Sequence, residues 1–338
     1  MFKTTTPTRS PKTEADYERI YRSRARCFEK TLGMVKITPN EVAAAFLKRY
    51  ELGHYAQRTW RVYKAAALHC LRKFHPECEE AINHLARTSS AGLPKKSPRT
   101  SGSKSKTVSA EALAALDNTF SARIGKYKHA QDTYNIIQAT LLTGLRPSEW
   151  AHAGIGRHRK TGRLTLQVKN SKHSNGRANG EYRAMFIDQL DEIELGYLRG
   201  AIRAFAHART EVLIEMQLKH LQYELAAAKA QAAGHPETSQ ATKTALSRIT
   251  LYSFRHQFVA DAKRALTGTQ DHAVVLAALL GHNSVETAPM HYGRRRHGGT
   301  RQLKVLPTAE SVRAVQQVTV RTYEVYLKSC ERPYFPQP

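Results

Sequence analysis

The 338-residue chain carries 53 Lys and Arg against 28 Asp and Glu, a formal net charge of +25, with 41% hydrophobic residues. That apolar content excludes a wholly disordered chain, and no apolar run reaches the roughly 18 residues of a spanning helix, which excludes a helical membrane protein. Four scattered cysteines exclude a disulfide scaffold or a zinc ribbon, while the charge points to a polyanionic partner, most simply nucleic acid.

At about 150 residues per domain, the length suggests two domains. Residues 1–36 read as a polar tail with some helical tendency over 17–32. Its first twelve residues are rich in Thr, Pro and Lys and hold no apolar stretch of the kind a secretion signal needs; the few, scattered cysteines make a reducing cytoplasm the expected compartment. Thr38-Pro39-Asn40-Glu41 then reads as a helix start, with a capping Thr, a Pro in the first turn and a Glu at the third position. Val42, Phe46 and Tyr50 follow as one apolar stripe. The spacing predicts a second helix over 57–74, buried through Trp60, Tyr63, Ala67, Leu71 and Phe74, and a shorter one over 79–86. Residues 37–87 are therefore expected to form a small basic helical module. The stretch 88–106 holds six Ser, two Pro, two Gly, five Lys or Arg and no acid. It cannot pack a core and reads as a flexible linker ending at 107. Lys95, Lys96, Arg99, Lys104 and Lys106 are its candidate contacts to a phosphate backbone.

A second domain is expected over 108–307. Ser109 can cap a helix whose stripe begins at Leu113 and Leu116, and another helix over 131–143 should stop at Gly144. Residues 163–169 alternate apolar and polar, 182–188 form a second strand-like run, and Asn-Gly pairs at 175–176 and 179–180 lie between them. That pattern predicts a β-hairpin with a long basic tip. One or two long helices should fill 190–234, with more at 252–266, 271–280 and 308–328. The fold class is mainly α with a small β-hairpin or sheet, that is, α+β in the second domain.

Three local patterns carry chemistry. They are Thr143-Gly144-Leu145-Arg146-Pro147-Ser148-Glu149, then Tyr252-Ser253-Phe254-Arg255-His256, then Leu280-Gly281-His282 followed ten residues later by Tyr292. Each alone has an ordinary structural explanation: a surface ion pair, a helix cap, a packed ring. In this order and spacing the set resembles the tyrosine recombinase (phage integrase) family, over about 108–296, with the helical module standing where that family has its core-binding domain.

The resemblance implies that Arg146 and Arg255 are the two catalytic arginines, His282 the third-box histidine and Tyr292 the nucleophile. The family's catalytic lysine lies on a β-hairpin, where Lys172 is the best match and Lys169 the second candidate. The family's second box usually reads His-x-x-Arg; here Tyr252 takes the histidine position, and His256 reads as a supporting residue. The implied activity is site-specific cutting and rejoining of DNA through a covalent 3′-phosphotyrosyl ester, with no ATP, metal or other cofactor. The implied partners are double-stranded DNA and three further copies of the chain, clamped around two duplexes in association with the nucleoid and aided by accessory DNA-bending or directionality proteins. A mobile element is the implied source.

The chemistry suits those residue types. Guanidiniums fork onto phosphate oxygens and stay charged at every relevant pH. A tyrosine placed beside cations can carry a covalent phosphoryl group. A lysine beside two arginines can lose its proton to a leaving hydroxyl. The rival expectations are an inactive DNA-binding relative, a type IB topoisomerase, and a basic DNA-coating protein, the last of which leaves the ordered boxes unexplained.

Overall fold

The computed structural model describes residues 11–94, 105–171, 173, 178–267, 272–285 and 301–315. The chain divides into two units that part near residue 100. It is mostly helical, with one small antiparallel sheet. Among the described residues no helix is long and apolar enough to cross a membrane.

The first unit holds α1 (Pro11–Leu32), α2 (Pro39–Glu51), α3 (Gln57–Phe74) and α4 (Glu79–Arg87). Thr38 closes the capping box that starts α2: its backbone N–H donates to Glu41 Oε2 at 2.7 Å, and Thr38 Oγ1 accepts from the Glu41 N–H at 3.3 Å. The core is aromatic. Phe28 meets Phe46 edge-on at 5.0 Å, and Tyr50 and Tyr55 stack on Trp60 at 4.6 and 5.6 Å between ring centres.

The helical tendency expected over 17–32 is a full helix over 11–32, and it packs into the unit rather than lying outside it as part of a polar tail. Phe28 is 1% exposed, and α1 lies along α3. That contact also corrects the buried face of α3. His69 and Cys70 are buried beneath α1, where Cys70 Sγ lies 3.9 Å from the Tyr17 carbonyl oxygen, while Phe74 at the far end is 51% exposed. Periodicity captured the stripe facing α2 and α4 but not the second stripe, because the helix covering it is too charged to look like a core element.

In the second unit, α5 (Ala110–Arg123) and α6 (Ala130–Thr143) precede a short 3-10 helix, Pro147–His152. β1 (Ala153–Arg157), β2 (Leu164–Lys169), β3 (Tyr182–Phe186) and β4 (Leu306–Pro307) pair antiparallel in that order. The predicted hairpin is the β2–β3 pair, with Val168 opposite Arg183 and Leu166 opposite Met185; most of its tip lies outside the described residues. The remaining helices among the described residues are α7 (Glu192–Arg203), α8 (Glu211–Gly234), α9 (Gln240–Arg248), α10 (Leu251–Ala265), α11 (His272–Leu280) and α12 (Ala309–Arg313). The long pattern over 190–234 is thus two helices, α7 and α8. The last predicted helix begins as α12, whose Val312 is buried in this unit's own core together with Val315 just beyond it. Ser311 Oγ donates to the Ala184 carbonyl of β3 at 2.9 Å. Residues 316–328, including Tyr323, lie outside the described residues.

Helix α6 is the central element, buried on nearly every side and packed against both α7 and α10. It ends at Gly144 with φ +67°, the left-handed conformation that glycine reaches without strain. The Phe258 ring of α10 lies where a side chain at Gly144 would begin. Gly144→Ala combines backbone strain with overpacking and should cost about 2–4 kcal/mol. A urea titration at neutral pH checks this, and a midpoint equal to wild type would show that the Gly144–Phe258 contact is slack.

Candidate active site

The site is built around a carboxylate. Glu149 lies in the 3-10 helix that follows the Gly144 turn and is fully buried. Its Oε2 accepts from the Arg146 backbone N–H at 2.8 Å and its Oε1 from Arg146 Nη1 at 2.6 Å, so the turn is closed by both backbone and side chain. Arg183 Nη2 donates to Oε2 at 2.8 Å, and Arg255 Nη1 lies 3.8 Å from the same oxygen. The Ser171 hydroxyl reaches Oε1 at 3.3 Å. One carboxylate thus binds three guanidiniums from three elements.

Arg255 sits in the second turn of α10, fully buried. It donates to the Gly144 carbonyl through Nη1 and to the Leu280 carbonyl through Nη2, the latter at 3.0 Å. Its Nη2 also lies 3.5 Å from His282 Nε2. His282 is placed by the end of α11. Gly281 takes φ +68°, and the His282 N–H donates to the Ala277 carbonyl at 2.8 Å, closing a Schellman turn. Arg146 is the most open of the three arginines, with its side chain 11% exposed. Its Nε has no hydrogen-bond partner among the described residues.

Burial by itself would raise the Glu149 pKa. The charges of Arg183, Arg146 and Arg255 outweigh it and hold the carboxyl far below the usual carboxylate range. Burial pushes the Arg183 guanidinium down from its ordinary value, with Glu149 pulling the other way; arginine starts so high that the group stays charged at neutral pH. His256, next to Arg255, is driven down to about 4 by burial, then by Arg255, Lys106 and Lys263. It is therefore neutral at pH 7.

Of the residues expected from the sequence, the structure brings Arg146, Arg255 and His282 together. Tyr252 lies one turn before Arg255 on α10, 37% exposed, with its ring edge-on to His256 at 5.3 Å. Lys169 ends β2 and pairs with Glu181 at 3.1 Å across the hairpin. Lys106 is exposed at the start of the second unit. Lys172, Tyr292, Lys95, Lys96, Arg99 and Lys104 lie outside the described residues. Sequence reasoning missed Arg183 and Asn170 and gave Glu149 no role of its own in the site. A signal for Arg183 was present: in the 182–188 strand it shares parity with Met185 and Ile187, so an arginine occupies a core-facing position.

Comparison of the chain with protein-family models, with curated proteins and with solved structures returns no match.

Linkage sets the sign of the pH dependence. The folded pKa of Glu149 lies below its ordinary 4.5, so its contribution is complete above pH 4.5 and is lost as pH falls below it. The folded pKa of His256 is also lowered, so its contribution is complete above 6.5 and lost between 6.5 and about 4. Glu149→Gln leaves the two buried guanidiniums of Arg183 and Arg255, and the partly exposed Arg146, without this counter-charge and should cost about 3–5 kcal/mol at pH 7, with a shallower acid limb below pH 4.5. Urea midpoints measured across pH report both effects. A Glu149→Gln protein as stable as wild type at neutral pH would mean that the carboxylate does not hold the cluster.

Proposed function

We infer that the chain is a site-specific DNA recombinase of the tyrosine type, cutting and rejoining duplex DNA. The observation that carries this reading is the meeting of Arg146, Arg255 and His282 around Glu149 and the Gly144 turn, from three segments far apart in the chain. Two guanidiniums and an imidazole in one cluster suit a phosphodiester whose non-bridging oxygens gain charge as phosphorus becomes five-coordinate. The second unit would be the catalytic domain, the helical first unit a core-binding domain, and the basic linker a phosphate contact.

In the proposed step the Tyr292 hydroxyl oxygen attacks phosphorus and its proton passes to solvent. The bond from phosphorus to the 5′ oxygen breaks, and that oxygen takes a proton from Lys172. The products are a 3′-phosphotyrosyl ester and a free 5′-hydroxyl, and the reverse attack by a 5′-hydroxyl rejoins the strand without ATP. Arg146 and Arg255 stabilise the charged oxygens, His282 donates a hydrogen bond to one of them, and Tyr252 offers a hydroxyl at the open edge of α10. Strand exchange would need four copies of the chain on two duplexes, with accessory DNA-bending or directionality proteins choosing the direction.

Incubation with nicked duplex substrates that trap the cleaved state tests the reading. Wild type should form a covalent protein–DNA adduct, and EDTA should leave it intact. Tyr292→Phe should bind the duplex at wild-type affinity and form no adduct. Arg146→Ala should form it about 10²–10³ times more slowly. An adduct that persists in Tyr292→Phe, or one that needs an added divalent ion, overturns the mechanism. Exchange of joined strands between two duplexes separates a recombinase from a topoisomerase, and wild type that binds DNA without an adduct is an inactive relative.

Affinity should fall steeply with salt, because each neutralised phosphate releases condensed counterion. Replacing Lys95, Lys96, Arg99, Lys104 and Lys106 together by Ala should lower the slope of log affinity against log salt by several units. An unchanged slope would place the linker off the DNA.

A further inference from the structure

The recombinase reading gives tasks to Arg146, Arg255 and His282 and leaves none for the third guanidinium of the cluster. The Arg183 side chain is 0% exposed, so no DNA phosphate can reach it. Its donors run to three separate segments instead. Nη2 donates to Glu149 at 2.8 Å, Nε to the Leu279 carbonyl at 3.0 Å, and Nη1 to Asn170 Oδ1. Asn170 is itself held, donating through Nδ2 to Asn179 Oδ1 at 3.0 Å and to the Gly180 carbonyl at 2.9 Å.

From Glu149 the contacts continue to the Arg146 guanidinium. From Leu279 the chain runs through Gly281 to His282. Gly281 packs so closely on Asn170 Oδ1 and Arg183 Nη1 that a Cβ there would overlap both. The Arg183 fork therefore sits where the 3-10 turn, the base of the β2–β3 hairpin and the end of α11 meet. Only a guanidinium offers several donors in fixed directions; a lysine would keep the charge but present one flexible ammonium.

We propose that Arg183 is a positioning residue that holds Glu149, and through it Arg146, in register with the turn at 279–282, so that Arg146, Arg255 and His282 face one phosphate together. The proposal rests on the recombinase reading for its consequence and on the geometry for its cause, and the two can be tested apart.

The variants are Arg183→Lys and Arg183→Met, with Gly281→Ala as a third that disturbs the same junction from the other side. All are made in the full chain. Amide hydrogen exchange should quicken at 146–150 and 279–283 and stay at wild-type rates in α5 and α8. Adduct formation on nicked duplex should slow on the order of 10- to 100-fold in Arg183→Lys at unchanged DNA affinity. In Arg183→Met, Glu149 keeps Arg146, Arg255 and Ser171 but loses one of its two hydrogen-bonded cations, so the acid limb of the cleavage rate should move to higher pH than in wild type.

Wild-type cleavage with local exchange also unchanged in Arg183→Lys overturns the proposal. Exchange that quickens equally throughout the second unit also overturns it, because Arg183 would then be a general core residue. If wild type forms no adduct, the recombinase reading falls, while local quickening of exchange still supports the junction and its absence still overturns it. If Arg183→Met does not fold, Arg183→Lys and Gly281→Ala decide alone.

Discussion

A carboxylate sealed from water among three guanidiniums is the constraint on which the second unit depends. Burying any one of these charges alone would be prohibitive, and the arrangement is tolerable only as a set with nearly every donor engaged. Glu149 meets Arg146, Arg183 and Arg255. The spare donors of Arg183 and Arg255 go to carbonyls of Gly144, Leu279 and Leu280 and to the Asn170 amide. Those carbonyls stand at the ends of α6 and α11, where helices leave acceptors unused. The cluster therefore does two jobs with one set of atoms: it finishes helix ends, and it gathers positive charge in one place. The gathered charge is what makes phosphodiester chemistry the best reading of the site.

Much of this was legible in the sequence where the signal was local. The stop of α6 at Gly144, the Thr38 capping box and the β2–β3 pairing each follow from a few neighbouring residues, and each stands in the structure. The ordered boxes singled out Arg146, Arg255 and His282, which the fold gathers. What escaped depends on distant partners. α1 carries so much charge that its buried Phe28 side is a narrow stripe, and only contact with α3 makes it a core element. β1 and β4 are short and glycine- or proline-containing, so neither alternates long enough to announce itself. Arg183 looked like one more cation in a basic chain, and its parity with Met185 became decisive only once the opposite strand and α11 were in place.

The sheet is small, yet it positions much of the site. β2 delivers Asn170, β3 delivers Arg183, and residues 305–315 return to cover the outer side, with Val305, Val312 and Val315 in the core. Ser311 ties this return to β3 through Ala184, accepting from its N–H at 2.8 Å and donating to its carbonyl at 2.9 Å. The described end of the chain is thus anchored beside the hairpin base. Whatever follows residue 315 starts from a fixed point close to the strand that carries Arg183.

The hydrogen bonds that close the cluster also span long stretches of chain: Arg183 and Leu279 are 96 residues apart, and Arg255 and Gly144 are 111 apart. Contacts of that separation are entropically late, because the intervening chain must be ordered before they form. Helices such as α6 and α8 can form early from local signals, but the charged centre cannot assemble until the hairpin and α11 have both docked. On the recombinase reading, a partly folded chain would already carry the positive charge that attracts DNA, yet it would have no organised centre with which to cut it. On that reading, the capacity to break a strand would arrive last, in the same event that completes the fold.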